Sequence, residues 1–333
     1  MLLATCLPVA FRAPSPLCSR RCRSAVAMAE GGPPQIDWQD AKVLSNDPLS
    51  RGTMQLRVQA SAPVDYKAGH ILGFELSDPD GAELKGPYTV TRPAGPDAFD
   101  IIYRVIPDGR KTPHMEKLAA GAAVRFGGRF GTPVADGIAA DVDRVVGIAT
   151  GAGIGPLVGY AEAALAEPDG PKIELYAGFR DLADVCGGAC NELAARHPTR
   201  FSWSPVISKP MACAAVGLSG IGSGTPPPPL PGLPDEPPAP SATGAPPPPF
   251  LQGRVSTVVP SQLGDVSATT HFHLVGNGQF VVDFRQGLLD GGVAEERVTT
   301  EKYFNGKADA DADVVAFIAD AVRKGLAVPQ GAV

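Results

Sequence analysis

The sequence predicts two domains, an N-terminal antiparallel β-barrel and a C-terminal α/β domain built on a parallel sheet. Three observations carry this. Residues 35–140 hold short stretches of period-two alternation separated by Gly/Pro turns. From Asp143 onward, apolar runs of strand length alternate with runs of helix length, as crossover connections require. Between the run Arg144–Thr150 and the helical stretch Leu157–Leu165 stands Gly151-Ala-Gly-Ile-Gly-Pro156, a strand–turn–helix junction. Such a turn lets backbone N–H groups approach a phosphate at a helix N-terminus, where the dipole favours an anion.

In the first domain, Met54–Ala60 alternates cleanly and Phe99–Val105 does so in part. Turns are marked at Asp78–Gly81, Pro93–Pro96 and Pro107–Gly109, and one helix is expected at Pro113–Ala120. In the second domain (141–304), strands are expected at Val145–Ala149, Lys172–Ala177, Phe201–Ile207 and His271–Val275. Helices are expected from Pro156, near Leu182–Ala195 and near Phe280–Leu289. A Pro-rich insertion, about 209–251, interrupts this domain; thirteen prolines fall between Thr225 and Phe250. It cannot join a sheet or helix and reads as a polyproline-like loop, either a tolerated surface insertion or a Pro-rich recognition site. Residues 305–333 form a C-terminal tail with a short helix at Val314–Leu326.

Composition narrows the function. The 333 residues suffice for two domains plus extensions. A formal net charge of -6 argues against a general nucleic-acid binder, and no apolar run approaches the roughly eighteen residues of a membrane span. No acidic residue precedes Glu30, while Arg12, Arg20, Arg21 and Arg23 are interleaved with Ser15, Ser19 and Ser24. That is the composition of a transit peptide, so residues 1–34 are expected to be a leader directing the chain to a chloroplast or other plastid. Val9-Ala10-Phe11 resembles the cleavage context of plastid proteins in algae with secondary plastids. Of six cysteines, Cys6, Cys18 and Cys22 lie in the leader. Cys186, Cys190 and Cys213 then fit neither a disulfide framework, nor zinc, nor an iron–sulfur cluster. Cys186 and Cys190 read as ordinary thiols near a helix. His271 and His273 alternate along a strand without a third ligand and read as structural, so no metal is expected.

The glycine turn has an upstream companion, Gly86-Pro-Tyr-Thr-Val-Thr91. Further on stand Tyr103-Arg104-Val105, Gly109-Arg110-Lys111-Thr112, Gly127-Gly-Arg-Phe-Gly131, Ala177-Gly-Phe-Arg-Asp181, Val275-Gly-Asn-Gly-Gln-Phe280 and Thr300-Glu-Lys-Tyr-Phe304. In this order they resemble the ferredoxin–NADP reductase superfamily, over about Gln35–Phe304. The resemblance implies a flavin-binding barrel followed by an NAD(P)-binding domain, with FAD (or FMN) and NADP or NAD as cofactors. Tyr88 would stack on the flavin and Thr89 would hydrogen-bond near its hydride-accepting nitrogen. Tyr103, Arg104 and Val105 would line the ribityl chain, and Gly109 and Thr112 a flavin phosphate, with Arg110 and Lys111 either adding charge there or standing as solvated turn residues. Thr150 would lie near the nicotinamide, with Gly151, Gly153, Gly155 and Pro156 near phosphate. Arg180 follows the second strand of the α/β domain. Ser208 and Lys209 follow the third, where a hydroxyl and an ammonium suit a 2′-phosphate and favour NADPH over NADH. Gly276, Asn277 and Gly278 would admit the nicotinamide. Glu301, Tyr303 and Phe304 match the family's closing Glu-x-aromatic.

Two departures stand out. The family's flavin motif is Arg-x-Tyr-Ser/Thr, and Gly86 replaces the arginine that pairs with the flavin pyrophosphate. Lys85 or Arg92 is expected to supply charge beside the gap. Val275 replaces a cysteine in the late motif. The leading expectation is therefore a flavin-dependent NAD(P)H oxidoreductase with Tyr88, Thr89 and Glu301 at the reacting centre and an unidentified acceptor. The two losses leave open a redox-silent nucleotide-binding scaffold or sensor. Arg104, Arg110, Lys111, Arg125 and Arg129 leave open a basic rim for a small acidic electron-carrier protein.

Overall fold

The computed structural model describes residues 36–209, 250–303 and 309–326. The leader, most of the Pro-rich insertion with Cys213, and Phe304 lie outside the described residues.

The first domain contains β1 (Trp38–Ser50), β2 (Thr53–Ala60), β3 (Ile71–Ser77), β4 (Glu83–Thr89), β5 (Arg92–Pro93), β6 (Ala98–Arg104), α1 (Thr112–Glu116) and β7 (Ala123–Phe130). The helix expected at Pro113–Ala120 is thus a single turn, begun by Pro113. The strands form a seven-stranded antiparallel, barrel-like sheet in the order β4-β3-β7-β1-β2-β6-β5. β1 serves two neighbours: its first half pairs with β7, and it pairs with β2 along its length. Register shifts at Val43/Ser45 and Pro48/Ser50 let it bend between them. Alternation sends one side of each strand inward, onto Leu56, Leu72, Phe74, Phe99, Ile101, Met115 and Phe126. Tyr66 and Phe126 each meet Phe99 edge-on at 5.1 Å.

The second domain contains β8 (Arg144–Thr150), α2 (Ile154–Ala166), β9 (Lys172–Phe179), α3 (Gly188–Arg196), β10 (Phe201–Ile207), β11 (Leu251–Gln252), α4 (Val255–Val258), β12 (Thr270–Asn277), α5 (Gly278–Asp290), β13 (Val298–Tyr303) and α6 (Ala312–Leu326). The sheet is parallel throughout, in the order β11-β10-β9-β8-β12-β13. The central strands β8 and β12 bury both faces. Val145, Ala149, Ile173 and Leu175 meet α2 and α3 on one side. Val146, Ile148, Tyr176 and Phe272 meet α4, α5 and α6 on the other. The segment expected as a tail therefore holds a helix whose Ile318 and Val322 belong to the second domain's core. That helix sits close because α5 carries glycines at its contact. A Cβ on Gly287 would stand 2.5 Å from the Ile318 Cβ.

The domains meet along α2 and the loop after β9. Arg92 of β5 bonds the buried Asp100 at 2.9 Å and reaches across to Glu162 of α2. At the other end, Arg51 pairs with the buried Asp184 at 3.0 Å, its N–H bonds the Ala183 carbonyl, and the Ser50 hydroxyl bonds the Asp184 carbonyl. No described helix is long and apolar enough to cross a membrane.

Candidate functional site

The chain leaves β8 for β9 and β10 on one side, then returns to place β12 and β13 on the other. The strand order reverses between β8 and β12, and ligands of open α/β sheets bind in the crevice at such a reversal, beyond the carboxyl ends of the strands. Thr150 ends β8 there, with Gly151 just beyond it, and Gly276 and Asn277 end β12, with Gly278 opening α5. The crevice is fixed by a cross-strand bond, in which the Asn277 N–H donates to the Thr150 hydroxyl at 3.0 Å. Gly276 has φ +138, and a Cβ there would stand 2.1 Å from the same hydroxyl oxygen, so no side chain fits. Asn277 also caps α5 by accepting from the Gln279 N–H at 3.0 Å.

The glycines of the turn divide in role. Gly151 has φ +55 and open space where a Cβ would be. Gly153 and Gly155 are buried, and a Cβ on either would stand 2.8 Å from the Val275 carbonyl oxygen and from the Thr91 hydroxyl oxygen, respectively. Their want of a side chain serves helix, sheet and barrel packing. The following Pro156 is buried in the first turn of α2. Farther along the same sheet edge, Arg180, Ser208 and Lys209 are exposed at the ends of β9 and β10. Lys209 meets the Asp181 carboxylate at 3.2 Å, so its charge is answered within the protein.

The barrel supplies the facing wall. Tyr88, half-buried on β4, meets Phe74 edge-on at 5.8 Å and Tyr103 at 6.5 Å. Burial pushes the Tyr88 phenol up to about 12, so it stays neutral. Tyr103 is buried and donates to Asn46 at 3.1 Å; Arg104 is exposed, 3.9 Å from Asp184, and Val105 is half-buried. Thr112 closes the Gly109 turn by accepting from the Ile106 N–H at 2.9 Å, so its hydroxyl is engaged within the loop.

Neither cation expected beside Gly86 is free. Lys85 pairs with Glu75 at 2.9 Å and Glu83 at 2.8 Å, and Arg92 is held by Asp100 and Glu162. Lys111 occupies the position instead, and its ammonium lies 3.8 Å from where a Cβ on Gly86 would stand. Of the other rim arginines, Arg125 pairs with Glu75 and Arg129 with Asp65, each at 2.8 Å.

At the domain junction, Thr89 donates to the Glu301 carboxylate and lies against the Tyr303 phenol. Register places Glu301 beside Val275 and Tyr303 beside Asn277, so β13 brings both side by side with the crevice. Burial pushes the Glu301 carboxyl up to about 7, against the opposing pull of the Thr89 hydroxyl. Burial and the neighbouring Glu301 raise the Tyr303 phenol. The predicted reacting residues Thr89 and Glu301 thus touch across the two domains, with Tyr88 adjoining. The clamps Arg92–Glu162 and Arg51–Asp184 carried no motif in the sequence.

Flavin chemistry fits this wall. A flat aromatic face, an ammonium and a position without a side chain adjoin one another, and the Thr89–Glu301 pair lies beside the nucleotide crevice.

No protein-family model matches the chain. The chain is 32% identical over 177 residues to the reductase subunit of an aromatic O-demethylase from Amycolatopsis sp., covering 50% of this chain and 51% of the relative. It is 25% identical over 166 residues to the anthranilate 1,2-dioxygenase electron transfer component of Acinetobacter baylyi, covering 48% and 47%. It thus spans about half the length of the curated relatives it matches. A ferredoxin NADP+ reductase from Neisseria gonorrhoeae, solved with bound FAD and NADP, has a TM-score of 0.62 at 16% identity over 81% of this chain and all of that one. The fold is that of the ferredoxin reductase-like oxidoreductases, as the motif order led us to expect.

Proposed function

We propose that this chain, built on the fold of the ferredoxin reductase-like oxidoreductases, is an FAD-dependent NAD(P)H reductase that passes electrons to a protein acceptor. The observation that carries the reading is the Thr89–Glu301 contact, which joins the aromatic wall of the barrel to the crevice between β8 and β12. A bound flavin would supply the redox chemistry, taking a hydride from the nicotinamide and releasing electrons onward. The protein's work is to bind, align and keep water out.

Tyr88 offers its ring as a planar surface, held in place by Phe74 and Tyr103. The crevice admits a ring because Gly276 has no side chain, and the Asn277–Thr150 bond keeps its two edges together. Thr89 and Glu301 hold a proton at the junction. With its carboxyl near neutral, Glu301 can release or take up that proton at working pH. Tyr303 closes the site from the β13 edge. Arg180 and Ser208, exposed at the ends of β9 and β10, would meet the adenosine end of the nucleotide, beside Lys209 held by Asp181.

One curated relative is a reductase subunit and the other an electron transfer component, which supports a protein acceptor of electrons. The Arg- and Ser-rich residues 1–34 support a plastid address, which a fluorescent fusion of those residues would test. The redox-silent alternative leaned on the missing arginine, the missing cysteine at Val275 and the proline insertion, and Lys111 beside Gly86 answers the first of these. The full chain is expected to bind FAD or FMN and to oxidise NADPH or NADH with ferricyanide as acceptor. Protein that remains colourless with either flavin would end the proposal.

A further inference from the structure

We propose that Lys111, from the connection between β6 and β7, binds the phosphate of the flavin nucleotide in the space that Gly86 leaves open. The inference rests on the flavin reading above and extends it to a subsite and a residue.

Residues 86 and 88 are two apart on β4 and point to the same side of the sheet. A side chain at 86 would therefore grow out beside the Tyr88 ring. Along that path lie the Lys111 Nζ at 3.8 Å, its Cδ at 3.9 Å and the Tyr88 Cε2 at 3.9 Å from the ideal Cβ position. The lysine thus fills, from another element, the place of a side chain at 86. Its ammonium lies 4.6 Å from the Tyr88 ring centroid and 5.0 Å from that of Phe74, and it donates to the Phe74 carbonyl. An ammonium has three donors, and this contact uses one. Among the described residues, no carboxylate lies within ion-pair distance of it, whereas Lys85, Arg92, Arg125 and Arg129 are all paired. A half-buried cation between aromatic faces, without a counter-charge, is poised for an anionic ligand.

Burial also lowers the free amine to about 7, with the Glu75 carboxylate on β3 opposing the shift. Glu75 is tied to Lys85 and Arg125, and burial raises the phenols of Tyr88 on β4 and Tyr103 on β6. The neighbouring Arg110 is exposed. A phosphate bound here draws a proton onto Lys111, so affinity falls as pH rises above about 7.

The test is flavin affinity of the full chain, read by fluorescence quenching with riboflavin, FMN and FAD. Riboflavin has the ring without the phosphate; FMN and FAD separate a monoester from a pyrophosphate. Lys111→Ala should weaken FMN or FAD by roughly ten- to a hundredfold, the range of a charge-assisted bond, and leave riboflavin unchanged. Lys111→Arg should restore phosphate affinity and flatten its decline with pH, measured on FAD because its pyrophosphate does not titrate in that range. If Lys111→Ala fails to fold, inorganic pyrophosphate should still compete with FMN but not with riboflavin on the unaltered chain. Equal losses for all three flavins, no loss, or pyrophosphate without effect would overturn the assignment. Binding of none of the three by the unaltered chain would overturn the flavin reading itself, and this subsite with it.

Discussion

Replacing Gly159 with alanine should destabilise this protein, although the same change on an exposed helix would help. Gly159 lies inside α2, where glycine-to-alanine ordinarily gains about 1 kcal/mol. Here the added Cβ would stand 1.8 Å from the Thr91 carbonyl oxygen, 2.8 Å from the Thr91 carbonyl carbon and 3.0 Å from the Arg92 Cβ. Normal contact is near 3.4 Å, so α2 must retreat from the barrel by about 1.5 Å. Glu162, three residues on, retreats with it and loosens its pairing with Arg92. Overpacking of this kind costs about 1–3 kcal/mol, and the partly exposed ion pair adds up to about 1 kcal/mol. Set against the helix gain, the net is a loss of up to about 3 kcal/mol, or a fall in Tm of roughly 3–6 °C for a loss near the middle of that range. Thermal and urea unfolding measure it directly. Nucleotide-dependent reduction should fall further than flavin content, because α2 carries the Gly151 turn at its start. A Gly159→Ala protein as stable as the original, or more so, would refute the close seating of α2 on the barrel.

Other outcomes follow from the same geometry. Gly276→Ala should retain flavin and lose nucleotide affinity, because its Cβ displaces the Thr150 hydroxyl at the crevice; titration with NADPH and NADH checks this. Glu301→Gln should keep the fold and flavin but remove a step near pH 7 from the profile of NADPH oxidation, since the amide cannot titrate there. Its effect on stability has a sign. Glu301 has a raised pKa, so its stabilising share is complete below the ordinary carboxyl range near 4.5 and is lost as pH rises through about 7. The buried pair His271 and His273 runs the other way. Both share the Thr299 hydroxyl, at 2.8 and 2.7 Å, and burial lowers them to about 4 and about 3. Their share is complete above pH 6.5 and is lost as pH falls toward 4, with a slope of up to about 1.4 kcal/mol per pH unit for each ring. Denaturant unfolding across that range should show an acid limb that His273→Gln reduces.

The sequence was most legible where local physics decides structure. β2 alternates visibly because one side meets the barrel core, and β8 reads as a continuous apolar run because helices cover both faces. The glycine turn and Val275–Phe280 are local in sequence, and both fall at the reversal of strand order. The stretch around Leu182–Ala195 was less legible. It divides into a short turn, whose Asp184 is buried against Arg51, and α3 from Gly188. The cause is a barrel contact 133 residues away in sequence, with no local trace. Lys111 shows the same limit. With Arg110 it reads as charge or solvated residue in the Gly109–Thr112 turn, and only the folded sheet brings it to Gly86. Lys85 and Arg92, nearer in sequence, are drawn to Glu75 and Asp100. The glycines of the turn carried one periodic signal but two jobs, and tertiary contacts assign Gly153 and Gly155 to packing.

The central claim is that two planar rings lie face to face between Tyr88 and the β8–β12 crevice. The most direct measurement is the long-wavelength visible absorbance of the flavin-loaded chain as oxidised nicotinamide nucleotide is added to the reduced protein without oxygen. We expect a broad charge-transfer band, the optical mark of stacked rings, which Gly276→Ala abolishes. Saturable nucleotide binding that leaves this absorbance unchanged would contradict the account.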